Sequence, residues 1–347
     1  MSKDAEENSR FNWPIVGHLN IVNYLQRSLT NNSIAHAYLF VGTPHLGKAT
    51  VAKSFTDSLI CQNLAKDNED NEKIPCGSCN GCKQIKNGIH PDVYWLSREV
   101  NDKTDKLKKN ISIEQIRQIQ SKLSLHSFLN SYKIAIIDEA ETLSLEAANA
   151  LLKLLEEPTA KTVLILLTAN LAKIPKTVAS RCQVLKFLPV KYEDIFDHLR
   201  SLKVDRKKAT VLANLSFGQP GMAINYATDN ELYLDFQDQA KQFVTLLGSK
   251  ANTRLKMLGE VVDLKDINSI KDSLNIWSKV LRDLVLIKLN NENLISNHRF
   301  LTDLKELASK FSPKSLASTI INLNSSRRYL DANVNPKLVL ENLVLNF

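Results

Sequence analysis

An α/β core followed by a nearly all-helical second half is the architecture this sequence predicts, and three observations carry it. Short apolar runs alternate with helix-period segments up to about Pro189, turn residues mark the junctions, and the strand signal fades beyond that point. Ala37-Tyr38-Leu39-Phe40-Val41 reads as a buried strand running into a glycine-containing turn, with a helix expected from about Gly47 to Cys61. Ile134-Ala135-Ile136-Ile137 is a second strand, ending at Asp138, and Val163 to Leu167 is a third. Between them, Ser112 and Gln115 form a capping-box pair ahead of Ile113, Ile116, Ile119 and Leu123, which share a helix face. Ser144 likewise precedes Leu145, Ala148, Leu152 and Leu155, and Pro158 stops that helix. After Pro189 come amphipathic helices separated by Gly218-Gln219-Pro220-Gly221, Asn290-Asn291 and Ser312-Pro313. The chain is therefore expected to hold a core over 1–189, a small helical domain over 190–228 and a larger helical bundle over 229–347. The charged stretches Lys66 to Lys73 and Lys103 to Lys109 read as loops.

Composition narrows the classes. With 44% hydrophobic and 24% charged residues in 347, the chain has enough apolar material for two or three folded domains and is not a disordered protein. No run approaches the ~20 apolar residues of a membrane span, and the polar, acidic start carrying Asp4, Glu6 and Glu7 is unlike a signal peptide. A cytoplasmic protein with no membrane partner is expected. The net charge of +8 favours an anionic partner such as nucleic acid, although scattered lysines alone describe a solvated surface equally well.

Gly42-Thr43-Pro44-His45-Leu46-Gly47-Lys48 has the G-x-x-x-x-G-K spacing, placed after a buried strand and before a helix. In such a loop, backbone N–H groups and the helix N-terminus face phosphate oxygens, and the lysine reaches the terminal phosphates. The next residue is Ala49, where a working loop needs a Ser or Thr hydroxyl on Mg²⁺. Thr50 lies about 100° further round the helix and is a poor substitute. Asp138-Glu139-Ala140-Glu141 follows the second strand, so Asp138 is positioned to orient a metal through water and Glu139 to polarise an attacking water. Gly42, Gly47, Lys48, Asp138 and Glu139 thus read as a degenerate nucleotide site, with ATP binding weak or absent and hydrolysis slow or absent.

Cys61, Cys76, Cys79 and Cys82 give C-x14-C-x2-C-x2-C, with Gly77, Ser78, Asn80 and Gly81 allowing the chain to wrap. Four thiolates in so short a span are explained most economically by a structural Zn²⁺. Cys182 stands apart and reads as an ordinary buried thiol. Arg181, in Ser180-Arg181-Cys182, is by itself as compatible with a surface ion pair as with contact to a phosphate on a neighbouring subunit.

Together these residues resemble the clamp-loader branch of the AAA+ family. The matching text runs from Ile15-Val16-Gly17-His18 through His36-Ala37-Tyr38-Leu39-Phe40, the phosphate loop, the cysteine module and His90-Pro91-Asp92. It continues through Ile137-Asp138-Glu139-Ala140, Asn149 to Pro158, Ser180-Arg181-Cys182 and Asn333-Val334-Asn335-Pro336-Lys337-Leu338. The resemblance implies a RecA-like AAA+ core bearing a zinc module at about 61–92, a helical lid and an all-α collar that assembles a pentamer. It implies γ/τ and δ subunits as partners, a sliding clamp, and primer-template DNA held in the assembled complex through its phosphates. It also implies that Arg181 acts in trans on the ATP site of an adjacent γ/τ subunit. The first-sensor region falls near Thr168, Ala169 and Asn170. Ala49, and Met222 where active members similar to this one carry a second-sensor arginine, point to a catalytically reduced member, as does an end at the collar without a τ-like extension. The alternatives are an active γ/τ-like ATPase using Lys48 and Glu139, and a zinc-containing DNA-binding protein outside clamp loading.

Overall fold

A computed structural model describes residues 10–65, 73–101, 106–125, 127, 132–264 and 266–347. Of the expected loops, 66–72 and 103–105 lie outside the described residues. Contacts divide the chain into a unit of Met1–Lys191 with Gln219–Gly221 and a unit of Tyr192–Gly218 with Met222–Phe347. The segments read as lid and bundle both fall in the second unit, apart from Val190, Lys191 and Gln219–Gly221.

In the first unit, α1 (Leu19–Thr30) precedes β1 (Ala37–Val41), α2 (Lys48–Ile60), α3 (Asn80–Lys86) and β2 (Val93–Leu96). β3 (Val100–Asn101), β4 (Lys106–Leu107), α4 (Ile113–Ser124), β5 (Lys133–Ile137), α5 (Leu145–Glu156), β6 (Thr162–Thr168), α6 (Lys176–Ala179) and β7 (Gln183–Lys186) follow. Five strands make a parallel sheet in the order β2-β5-β6-β1-β7. β5 and β6 are buried throughout, as continuous apolar strands covered on both faces must be. One side of the sheet packs Tyr38, Phe40, Ile134 and Ile136 with Val51 and Phe55 of α2, and the other packs Leu39, Ala135 and Ile137 with Ile116 of α4 and Leu151 of α5.

The Ser112 capping box is present, its hydroxyl accepting from Gln115 N–H and Gln115 Oε1 accepting from Ser112 N–H. Such a cap holds a helix start by about 1 kcal/mol. On α5 the inward face differs from the sequence expectation. Ala147, Ala148, Leu151, Leu154 and Leu155 are buried, whereas Leu145 at the first helical position is 69% exposed and Leu152 only half-buried. The sequence reading also missed β2 and β7, the two edge strands, which are short and partly exposed and so lack the continuous apolar run of an inner strand. Within the Lys103–Lys109 stretch, Lys106–Leu107 is a strand and not a loop, paired antiparallel with Val100–Asn101.

The second unit contains α7 (Tyr192–Ser201), α8 (Arg206–Leu215), most of α9 (Pro220–Thr228), α10 (Asn230–Gly248), α11 (Ala251–Val261), α12 (Ile267–Lys288), α13 (Leu301–Lys310), α14 (Pro313–Asp331) and α15 (Pro336–Leu345). α7 and α8 pack as a helical pair. α12 is the central member of the rest, touching α10, α13 and α14, and buries Ile270, Leu274, Trp277, Leu281 and Leu284. Trp277 stacks on Phe243 with ring centroids 4.6 Å apart, and Phe347 meets both rings edge-on. Asp283, fully buried, accepts hydrogen bonds from Ser296 N–H, Asn297 N–H and the Asn297 amide, satisfying a carboxylate that burial would otherwise disfavour. No helix among the described residues is long and apolar enough to cross a membrane.

Candidate functional site

The phosphate loop leaves β1, a strand held between β6 and β7, and ends in α2. Gly42 is required by close approach: its N–H donates to Thr168 O at 3.1 Å, and a Cβ there would stand 2.7 Å from Phe187 O. Gly47, with φ 91°, caps α2 in a conformation that a side chain would strain. His45 takes the same left-handed region at φ 63°. His18 pins the loop from outside, its Nε2 lying 2.9 Å from Leu46 O while its ring packs on Phe187. Gly221, which belongs to the same unit, donates its N–H to His45 O at 2.9 Å.

Lys48 turns back on its own loop. Its Nζ donates to Gly42 O at 2.5 Å and to Thr43 O at 2.9 Å. Burial lowers its pKa, an effect opposed by the nearby carboxylates of Glu141 and Asp138. Asp138 directly follows β5, and its pKa is raised chiefly by burial. Its Oδ1 accepts from Glu139 N–H at 2.9 Å. Lys48, Asp138 and Glu141 therefore share one charged cluster beside the loop, as the sequence order suggested for the first two.

Glu139 does something the sequence did not announce. It sits at φ 50°, and its carboxylate is gripped by the Arg98 guanidinium in a two-point ion pair, Nε to Oε2 at 2.6 Å and Nη2 to Oε1 at 3.0 Å. Such forked pairs fix a carboxylate's orientation and occupy both of its oxygens. Arg98 follows β2, and no motif marks it; only the pairing of β2 with β5 brings it beside Glu139. Glu141 also escaped notice as a site residue, although its Oε1 accepts from Ala169 N–H at 3.1 Å and ties the β5 and β6 ends together. In the stretch expected to hold the first sensor, Thr168 Oγ1 accepts from Asn170 N–H at 3.1 Å, and Asn170 Oδ1 caps Ala172 N–H at 3.0 Å.

Arg181 is 37% exposed after α6, donating to Thr177 O at 2.9 Å and pairing with Glu156 of α5 at 2.8 Å. Ala49 and Thr50 are both exposed at the start of α2. Cys182 is half-buried, and burial pushes its thiol up to about 12, which leaves it protonated and unreactive at neutral pH.

The four cysteines converge. Cys61 caps the end of α2, Cys76 lies in the following loop, and Cys79 and Cys82 begin α3. Their sulfurs all lie within 4.8 Å of one another, with Cys76 and Cys82 at 4.0 Å. Thiolates about 2.3 Å from a tetrahedral Zn²⁺ stand roughly 3.8 Å apart, so this set fits a metal of that kind. Backbone N–H groups of Cys76 and Cys79 point at the sulfurs of Cys61 and Cys76 at 3.4 Å. Gly81 permits the packing, since a Cβ there would lie 2.8 Å from Ile60 O. Burial works against ionisation of Cys76, but hydrogen bonds from Ser78 and Cys79 outweigh it and draw the thiol down to about 6, whereas burial raises Cys61 and Cys82. A cation is what would let all four ionise together.

Comparison with known proteins gives a consistent result. The family model described as DNA polymerase III, delta subunit, matches residues 17–191, and that of its C-terminal domain matches 235–347. The DNA polymerase III subunit delta' of Bacillus subtilis is 27% identical over 326 residues, covering 94% of each chain. The tau subunit of the same organism is 26% identical over 94% of this chain and 59% of its own length. Among solved structures, a gamma subunit-related protein of Thermotoga maritima aligns over 92% of this chain and 97% of its own at 17% identity, with a TM-score of 0.48.

Proposed function

The chain belongs to the DNA polymerase III delta subunit family, and we propose that within it the protein is a δ′-type AAA+ subunit of the clamp loader, one that completes a neighbour's ATP site instead of hydrolysing ATP itself. The observation that carries this reading is a phosphate loop complete from Gly42 to Lys48 but followed by Ala49. Without a hydroxyl at that position, Mg²⁺ bound with a triphosphate would lack one protein ligand. Two further features support it. Lys48 is engaged by the loop's own carbonyls, and Glu139 is held by Arg98, so the carboxylate that would polarise water already has a cationic partner.

On this reading Arg181 keeps a role because it is partly exposed and offers a delocalised cation, resting in a pair with Glu156. Its reach to the γ-phosphate of an adjacent γ/τ subunit would stabilise charge developing in that subunit's reaction. Cys61, Cys76, Cys79 and Cys82 would hold a structural Zn²⁺, which supplies cross-linking and no chemistry. Residues 190–228 would form the lid and 229–347 the collar. The working assembly would be a cytoplasmic hetero-oligomer with γ/τ and δ subunits, acting on a sliding clamp and primed DNA.

The test has two arms. The isolated chain is expected to show no Mg²⁺-dependent ATP turnover, and sustained turnover would favour the γ/τ-like reading. In a reconstituted loader, Arg181→Ala should assemble normally yet lower ATPase by about 10³-fold or more at the affected site, the scale of an arginine finger. Unchanged turnover would remove that role.

A further inference from the structure

Arg181 does not stand alone in solvent. Its Nη1 donates to Thr177 O at 2.9 Å and its Nη2 meets Glu156 Oε1 at 2.8 Å, so both terminal nitrogens of the guanidinium are engaged by this chain. Those two nitrogens form the end-on edge of the fork with which an arginine grips a carboxylate or a phosphate. An anion that Arg181 serves through that edge has to take the place of Glu156.

The packing beneath fixes both partners. Val178 of α6 is buried in one apolar cluster with Leu151, Leu154 and Leu155 of α5, and the two helices touch. Glu156 is the last residue of α5, Thr177 belongs to α6, and Arg181 stands two residues beyond the end of α6. The acid sits against local preference, because a helix C-terminus carries partial negative charge and favours cations. Glu157, the next residue, is acidic too. Two carboxylates beside the last carbonyls of α5 make a place that attracts a guanidinium. The pair is nonetheless open to water, with 51% of the Glu156 side chain and 37% of that of Arg181 exposed. Solvent and salt weaken such a pair, so a more highly charged anion can displace the carboxylate.

We propose that Glu156 is a positioning residue for Arg181: its carboxylate competes with phosphate for the guanidinium and holds it at rest until a neighbouring subunit presents a nucleotide. This rests on the reading of Arg181 as a residue acting in trans, and adds to it a restraint built into the same chain. Because an exposed ion pair is weak, the restraint is small. Removing the Glu156 charge should raise turnover at that site by about twofold to fivefold.

The experiment compares four reconstituted loaders at equal extent of assembly, carrying the wild-type chain, Glu156→Gln, Arg181→Ala or both substitutions. It measures kcat and KM for ATP in the absence of clamp and DNA. Glu156→Gln keeps the size of the side chain and is expected to raise kcat/KM by that factor. Glu156→Ala should do the same, since the effect comes from charge. In the Arg181→Ala background, Glu156→Gln should change nothing. A loss with Arg181→Ala but no rise with either Glu156 substitution overturns the positioning role and leaves the trans reading standing. A Glu156→Gln effect that persists without Arg181 also overturns it, because it would come from the structure and not from the guanidinium. If Arg181→Ala itself leaves turnover unchanged, the trans reading fails and the restraint fails with it.

Discussion

Asp57 shows how a single side chain records its surroundings. Burial, only partly opposed by Lys53, raises its carboxyl to about 6. A carboxylic acid with a folded-state pKa above its unfolded value binds more protons when folded, so its contribution to stability is largest at acid pH and is lost as pH rises. The window runs from the ordinary carboxylate range, near 4, up through about 6. Urea midpoints of the wild type should therefore carry a component that falls across this interval, and Asp57→Asn should remove that component; identical profiles would contradict the burial argument. Asp57 stands in no motif, so the sequence gives no sign of its burial. Lys48 and Arg181 were legible because each stands in a motif, yet their partners, the Gly42 and Thr43 carbonyls and Glu156, were not.

At the scale of elements, the cysteine module joins the end of α2 to the start of α3 through sulfur atoms within 4.8 Å. Few residues make up this segment, so its order should depend on a bound metal. Elemental analysis should find about one zinc per chain, a four-thiolate site holding a single ion. Cys79→Ser or strong chelation should raise hydrogen exchange of 76–88 by at least tenfold, with little change in β5 and β6, which lie within the sheet. Absence of metal, or exchange indifferent to chelation, would reject the site. The inner strands β1, β5 and β6 were legible from their unbroken apolar runs, and α4 from its capping box. The edge strands β2 and β7 were not, because an edge strand buries only part of each face and its alternation is too short to register.

For the molecule as a whole, a net charge of +8 distributed over many lysines favours an anionic partner. The isolated chain should bind primed template weakly, with affinity falling steeply as salt rises, because each phosphate contact releases counterions. Reconstitution with γ/τ and δ should tighten it; fluorescence anisotropy across a salt series distinguishes this from the tight, salt-resistant binding of a self-sufficient DNA-binding protein. What the sequence alone determined were the features written in consecutive residues: the phosphate loop, its missing hydroxyl at Ala49, the cysteine spacing and the change from mixed to helical architecture. Those depend on local backbone conformation and on the chemistry of neighbours in the chain. Strand order decided the rest. By setting β2 beside β5 it delivered Arg98 to Glu139, and by packing α2 against α3 it brought the cysteines of their ends together. Such pairings join residues dozens of positions apart, and they become physical only when the sheet closes.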